Sequence, residues 1–308
     1  ALGGEAQAGE YGRRRTRRAG DGPVIIPVRQ DEELLDDIDA TADETDPDVL
    51  HVWWLGQSGF LVSWCGHRLL FDPYLSDALS TKYADTDKPH VRMTELAVLP
   101  EMLRDIEVTT STHNHTDHLD AETLLPLRVS NPSLQLVLPE ANREFAVNRL
   151  GCEPDWPLGL DAGAKTTVGS FEFTGIAAAH EELETNEKGQ HHFLGYVVRL
   201  GDWQLYHSGD TLRYKGLAQQ LQEVGPIDIG LLPINGRKPE RSVAGNLSGE
   251  EAAALAHDVG MGTVIPCHYQ MFEFNTADPT EFQQACQRLG QGQRVLQCGE
   301  QARFSKDG

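Results

Sequence analysis

Nowhere in this 308-residue chain is there a run approaching the ~18 apolar residues that a membrane-spanning helix needs, so no stable membrane association is expected. Cysteine is sparse. Cys65, Cys152, Cys267, Cys286 and Cys298 are scattered, odd in number and free of any C-x-x-C pair. That argues against a disulfide framework and a zinc ribbon, and it fits reduced thiols in a cytoplasm. Positive charge is short as well: 26 Lys and Arg face 47 Asp and Glu, for a formal net charge of −21. Such a surface repels a phosphate backbone, so nucleic acid is not an expected partner. A small anionic substrate stays admissible, because a metal centre brings its own positive charge. An export signal is missing too: the basic stretch 13–18 (RRRTRR) is followed by Ala19-Gly20-Asp21-Gly22-Pro23 and not by an apolar region. The expected location is therefore the cytoplasm.

What is present is a patterned chain long enough to bury a substantial core, with 39% hydrophobic residues. Residues 1–30 read as a flexible Arg/Gly-rich tail, and 31–308 as a single domain. Within that domain, 31–48 (DEELLDDIDATADETDPD) suits a short acidic helix and a linker. Strands are expected at 52–55, 60–62 and 68–73, with Cys65-Gly66-His67 as a turn between the last two. That hairpin is placed at a sheet edge with His67 in solvent. Further β-prone runs are 106–112, 134–138, 171–178, 194–200, 203–207, 227–232 and 263–266. Ser248-Gly249-Glu250-Glu251 is a capping box opening a helix that Gly260 closes, and Asp278-Pro279 opens another. Strands interspersed with helices imply an α/β sandwich, two sheets covered by helices.

The segment from Thr112 to Asp120 (THNHTDHLD) carries the chemistry. It follows a strand and precedes a helical run. Alternation puts His113 and His115 on one side of an extended chain, where both imidazoles reach one metal. Asp117 and His118 come as the chain turns and reach a second one. Three histidines and an aspartate within six residues are costly as ordinary loop content, since protonated imidazoles repel; a metal uses the lone pairs instead.

H-x-H-x-D-H after a strand resembles the signature of the metallo-β-lactamase superfamily, and within it the chain resembles the L-ascorbate-6-phosphate lactonase-like hydrolases. Trp53-Trp54-Leu55-Gly56 is similar to their opening strand, and 205–210 (LYHSGD) to their later metal segment. The segments 232–237 (LPINGR) and 265–272 (IPCHYQMF) are similar to the end of the same family. The resemblance implies an αββα sandwich and two divalent ions, zinc or manganese. It implies His113, His115 and His180 at one ion, Asp117, His118 and His268 at the other, and Asp210 bridging. Each placement agrees with the local pattern. Asp210 follows a strand and a glycine that lets backbone approach, and His268 ends a strand. His180 also ends a strand, whereas its rivals His191 and His192 precede one. Arg237 is the expected binder of an anionic substrate group, with Tyr269 and Glu181 as groups that orient imidazoles. His207 is expected to be structural, and His51, His90 and His257 to lie at the surface.

The implied activity is hydrolysis of a small anionic lactone or ester by a hydroxide held at the two metals, with Asp117 able to take or relay a proton. A phosphodiesterase is the alternative, because the same motif also resembles phospholipase D-type enzymes that cleave N-acyl phosphatidylethanolamine. No amphipathic entrance segment for lipid supports it. A non-catalytic metal-binding protein would lack a ligand, and none is missing. The expected partners are a small-molecule substrate and further copies of the chain, as a homo-oligomer.

Overall fold

The computed structural model describes residues 24–241 and 244–306. Six strands open the first sheet: β1 (Val49–Gly56), β2 (Gly59–Trp64), β3 (His67–Phe71), β4 (Val108–Thr110), β5 (Gln135–Pro139) and β6 (Pro157–Leu160). Seven form the second: β7 (Lys165–Val168), β8 (Phe171–Ala177), β9 (Leu194–Leu200), β10 (Trp203–His207), β11 (Ile229–Pro233), β12 (Thr263–Cys267) and β13 (Gly292–Gln293). The chain then returns as β14 (Gln301–Ser305) to pair with β1. The orders are β14-β1-β2-β3-β4-β5-β6 and β13-β12-β11-β10-β9-β8-β7.

The helices are α1 (Glu32–Asp39), α2 (Ala78–Lys82), α3 (Ala121–Ser130), α4 (Arg143–Leu150), α5 (Leu217–Val224), α6 (Gly249–Val259) and α7 (Thr280–Leu289). Contacts of α4 with β6, and of α5, α6 and α7 with β8, β11, β12 and β13, place helices against both sheets. The expected α/β sandwich is what forms. Every residue of β1 and of β11 is buried, as continuous apolar strands must be when both sheet faces are covered. One apolar cluster runs from Trp53, Phe60 and Phe71 on the first sheet to Phe173, Tyr196 and Leu231 on the second. Trp53 and Trp54 belong to this core, not to a surface.

Local signals explain several boundaries. Ser248 and Glu251 exchange the two capping-box hydrogen bonds at the start of α6, and Gly260 ends it in a left-handed conformation. Asp278 accepts from the Thr280 backbone N–H at 2.8 Å at the start of α7. The expected hairpin of β2 and β3 is present but interior, because β1 pairs on one side and the parallel β4 on the other. His67, the first residue of β3, is partly buried and meets Glu107 at 2.6 Å. Of the expected tail, residues 1–23, with the basic stretch 13–18, lie outside the described residues. Residues 24–30 pack on the fold: Ile25 N–H donates to Met93 O at 2.9 Å and Val28 N–H to Cys298 O at 2.8 Å. Among the described residues no helix is long and apolar enough to cross a membrane.

The topology matters because strands β1, β3 and β4 run in one direction within the first sheet, and β8, β10, β11 and β12 share one direction within the second. Segments leaving the C-terminal ends of these strands carry the polar residues described next.

Candidate metal centre

Each polar side chain here follows directly on a strand. Gln57 leaves β1, Asp72 leaves β3, and His113, His115, Asp117 and His118 leave β4; His180, Asp210 and His268 leave β8, β10 and β12. Donor atoms of His113, His115 and His180 lie within 4.8 Å of one another, as do those of His113, His118 and Asp210, and of Asp117, His118 and His268. The Asp210 carboxylate faces all three outer groups: Oδ1 is 3.4 Å from His118 Nε2, and Oδ2 is 3.5 Å from His180 Nε2 and 3.4 Å from His268 Nε2. All seven expected residues are therefore brought together. His191 and His192 are not among them; they are turned to Asp161 and Asn142.

These donors suit divalent cations. His113 Nε2, His118 Nε2 and Asp210 Oδ1 are buried and have no hydrogen-bond partner among the described residues, which is costly unless something else uses the lone pairs. Imidazole nitrogens and carboxylate oxygens at this spacing are what zinc or manganese takes.

Electrostatics follows from burial and mutual charge. Burial, then the neighbouring His118 and His115, hold His113 well below the usual histidine value. Burial works the same way on His118, but the Asp210 and Asp117 charges and the hydrogen bond to Asp72 outweigh it and raise this imidazole well above its usual value. Burial works to raise Asp210, and His268 and His118 overcome it, leaving the carboxyl well below the ordinary range. Asp117 is lowered in the same way, chiefly by His118 against its burial.

Three residues that set this geometry carry no metal-ligand spacing in the sequence. Asp72, fully buried, accepts from His118 Nδ1 at 2.7 Å, from Thr110 Oγ1 at 2.6 Å and from the Thr112 backbone N–H at 3.1 Å. It thereby fixes the His118 ring with Nε2 toward the centre. Gln57 donates through Nε2 to Asp117 Oδ2 at 2.7 Å, and its backbone carbonyl accepts from the His268 N–H at 3.0 Å. Gly245, just before α6, accepts from His180 Nδ1 at 2.9 Å through its carbonyl. The only local hints are a strand-ending Asp-Pro and a G-Q-S-G turn. Gly209 admits the close approach expected before Asp210: its φ is +57°, and a Cβ there would stand 2.6 Å from Thr112 Cβ.

The centre floors a cavity of about 570 Å³. Leu79, Tyr83, Phe145 and Phe272 supply apolar wall, and Lys82, Lys88 and Arg149 supply positive charge. Arg237 is not among the lining residues; it donates to Glu251 Oε1 at 2.6 Å. His90, expected at the surface, sits half-buried in the wall, stacked on Tyr83 with centroids 4.3 Å apart. His51 is buried against Trp53, whereas His257 is exposed as expected. His207 is structural, donating to Ser58 O at 2.8 Å and stacked on Phe71. Tyr269 donates to Leu296 O and packs on Trp54, and Glu181 is exposed, so neither orients an imidazole.

Comparison with known proteins accords with this geometry. Residues 67–269 match the family model described as "Beta-lactamase superfamily domain". A UPF0173 metal-dependent hydrolase of Rubrobacter xylanophilus is 29% identical over 250 residues, covering 78% of this chain and 89% of that protein. Among solved structures, Igni18, a metallo hydrolase from Ignicoccus hospitalis, superposes with a TM-score of 0.61 at 21% identity, over 83% of this chain and 99% of that one. CmlA, a diiron β-hydroxylase from Streptomyces venezuelae, gives 0.60 at 18% identity, over 84% of this chain and 54% of that one. The shared fold thus hosts more than one chemistry, and function has to be argued from the site.

Proposed function

This chain belongs to the metallo-β-lactamase superfamily as one of its metal-dependent hydrolases, and from that premise we propose that it hydrolyses a small anionic lactone or ester at a centre of two divalent ions. The observation that carries the reading is the convergence of seven imidazole and carboxylate side chains, in overlapping sets joined through Asp210, on the floor of one cavity.

His113, His115 and His180 would hold one ion, Asp117, His118 and His268 the other, with Asp210 between them. Two such ions, when bound, would lower the pKa of water toward neutrality and would polarise the substrate oxygen. Asp117 is ionised at neutral pH, since its pKa is lowered, and one oxygen is tied to Gln57. The ionised carboxylate is suited to bind a cation; as a proton relay it would act through the oxygen not tied to Gln57, and its lowered pKa makes it a weak base there. Lys82, Lys88 and Arg149 along the cavity favour an anionic substrate and give that role a better position than Arg237 has. The apolar wall beside them excludes water from the reacting bond. The lactone preference rests on the resemblance of the 205–210, 232–237 and 265–272 segments to the lactonase-like hydrolases.

The test is turnover by the zinc- or manganese-loaded protein of sugar-phosphate lactones, simple esters and phosphodiesters, beside a His115→Ala control. Lactone or ester turnover that disappears in the variant is the expected result. Turnover of phosphodiesters alone would replace this reading with the phosphodiesterase one, and no turnover with metal bound would end both.

A further inference from the structure

The cavity wall contains a hydrogen-bond relay whose direction is set from one end. Arg241 is buried at 8% exposure and donates through Nη1 to Asn275 Oδ1 at 3.1 Å and to the Asn235 carbonyl at 2.6 Å, and through Nη2 to Thr276 O at 2.7 Å. A guanidinium only donates, so Asn275 must turn its oxygen toward it. Asn235 donates to that same oxygen through Nδ2 at 3.0 Å, which leaves its own Oδ1 to accept from Asn246 Nδ2 at 3.1 Å. Reversing any one of these amides would set oxygen against oxygen or nitrogen against nitrogen, so the usual ambiguity of amide orientation is removed.

The relay ends on Asn246 Oδ1, which is buried and has no hydrogen-bond partner among the described residues. Asn246 is 0% exposed yet lines the cavity, and it directly follows Gly245, whose carbonyl holds His180. An acceptor this buried is rarely left without a donor in folded proteins, and the cavity that Asn246 lines is the side from which a donor can reach it. Lys82, Lys88 and Arg149, with the divalent ions that the centre would hold, outweigh Asp87, Asp117 and Asp210 in the same cavity and disfavour an ammonium donor. We infer that Asn246 Oδ1 is a substrate-recognition acceptor, selecting molecules that carry a neutral donor, a hydroxyl or an amide N–H, close to the group being hydrolysed. The inference deepens the hydrolase reading above and rests on it for the reaction, but not for binding.

The experiment uses the full metal-loaded chain and γ-butyrolactones bearing a hydroxyl or a carboxamide beside the carbonyl. Each is paired with its O-methyl or N,N-dimethyl counterpart. A site built to bond a donor rejects the capped analogue, and a neutral hydrogen bond corresponds to roughly fivefold to tenfold in kcat/KM. The wild-type protein is expected to prefer at least one donor-bearing probe by that factor. Asn246→Ala is expected to bring the ratio to about 1, while Asn246→Ser, which keeps a hydroxyl able to accept, restores part of it. If no lactone is turned over, the lactone reading fails by itself. The inference is then decided by binding, read as the rise in Tm at saturating probe for the same pairs and variants. In either readout, equal responses to donor-bearing and capped probes overturn it, and so does an Asn246→Ala variant that loses both alike.

Discussion

Asp72 and His118 show how much of the centre depends on single buried groups. The carboxylate of Asp72 collects three donors besides the imidazole it orients, so its charge is matched without solvent. Asp72→Asn keeps the shape and removes the charge. Weakening the partner of a ligand typically costs 10–100-fold in metal affinity, and a loss of about that size is expected in competition titration against a chelator. An affinity within twofold of the parent would sink the assignment. His118 supplies a second prediction. Its pKa is raised well above the usual histidine value, so in the metal-free protein it is protonated at neutral pH. In that form it stabilises the fold below about pH 6.5, and the contribution is lost as pH rises through the higher folded value. Metal binding must displace that proton. Calorimetric titrations in buffers of different ionisation enthalpy should therefore show proton release near pH 7, together with affinity that climbs with pH. Binding with no proton release at that pH would contradict the protonation state.

At the scale of elements, the strand ends do the positioning. Runs of apolar and β-branched residues were enough to place β4, β8, β10, β11 and β12 to within a few residues, because burial on both faces demands near-continuous hydrophobicity in β11 and β12, while β8 opens on an alternation that leaves Glu172 exposed. β6 (PLGL) and β7 (KTTV) escaped notice. One is short and interrupted by glycine, and the other is largely exposed, so their pairing partners and not their composition make them strands. Gly209→Ala, between β10 and Asp210, forces a side chain into left-handed backbone and onto Thr112. It is expected to cost about 1–3 kcal/mol and, by shifting Asp210, to lower metal content; metal analysis of the purified variant together with its Tm checks both. Ser248→Ala removes one arm of the capping box at α6. The expected loss is about 1 kcal/mol, seen as a fall of about 2–4 °C in thermal denaturation. A Tm unchanged within error would mean that the cap adds nothing.

For the molecule as a whole, the decisive feature is that the candidate ligands come from both sheets. His113, His115, Asp117 and His118 follow a strand of the first sheet, and His180, Asp210 and His268 follow strands of the second. Bound ions would tie the two layers together in the folded state only. Linkage gives about 2.7 kcal/mol per site when free metal stands at 100 times its Kd, so removing metal with a chelator is expected to lower Tm by several degrees, and adding zinc or manganese back to restore it. A chelated protein that melts at the holo temperature would argue against metal sites spanning the sheets.

The residue types crowded into 113–118 announced its chemistry, although a bend over 112–115 and a turn over 116–118, not the alternation of an extended chain, bring those four side chains together. The alternating apolar runs and turn residues likewise determined a two-sheet α/β fold. Only the tertiary structure decided who stands beside the motif. Asp72, Gln57 and Asn246 are ordinary strand-end and loop residues in sequence, and they become functional candidates because parallel pairing brings separate strand ends to one side. Arg237 showed the converse: a plausible anion binder by type, it is held by Glu251 one helix turn into α6. Short-range geometry is fixed by covalent spacing and is therefore legible in sequence. Contacts between residues tens of positions apart depend on sheet order and register, which no local pattern encodes.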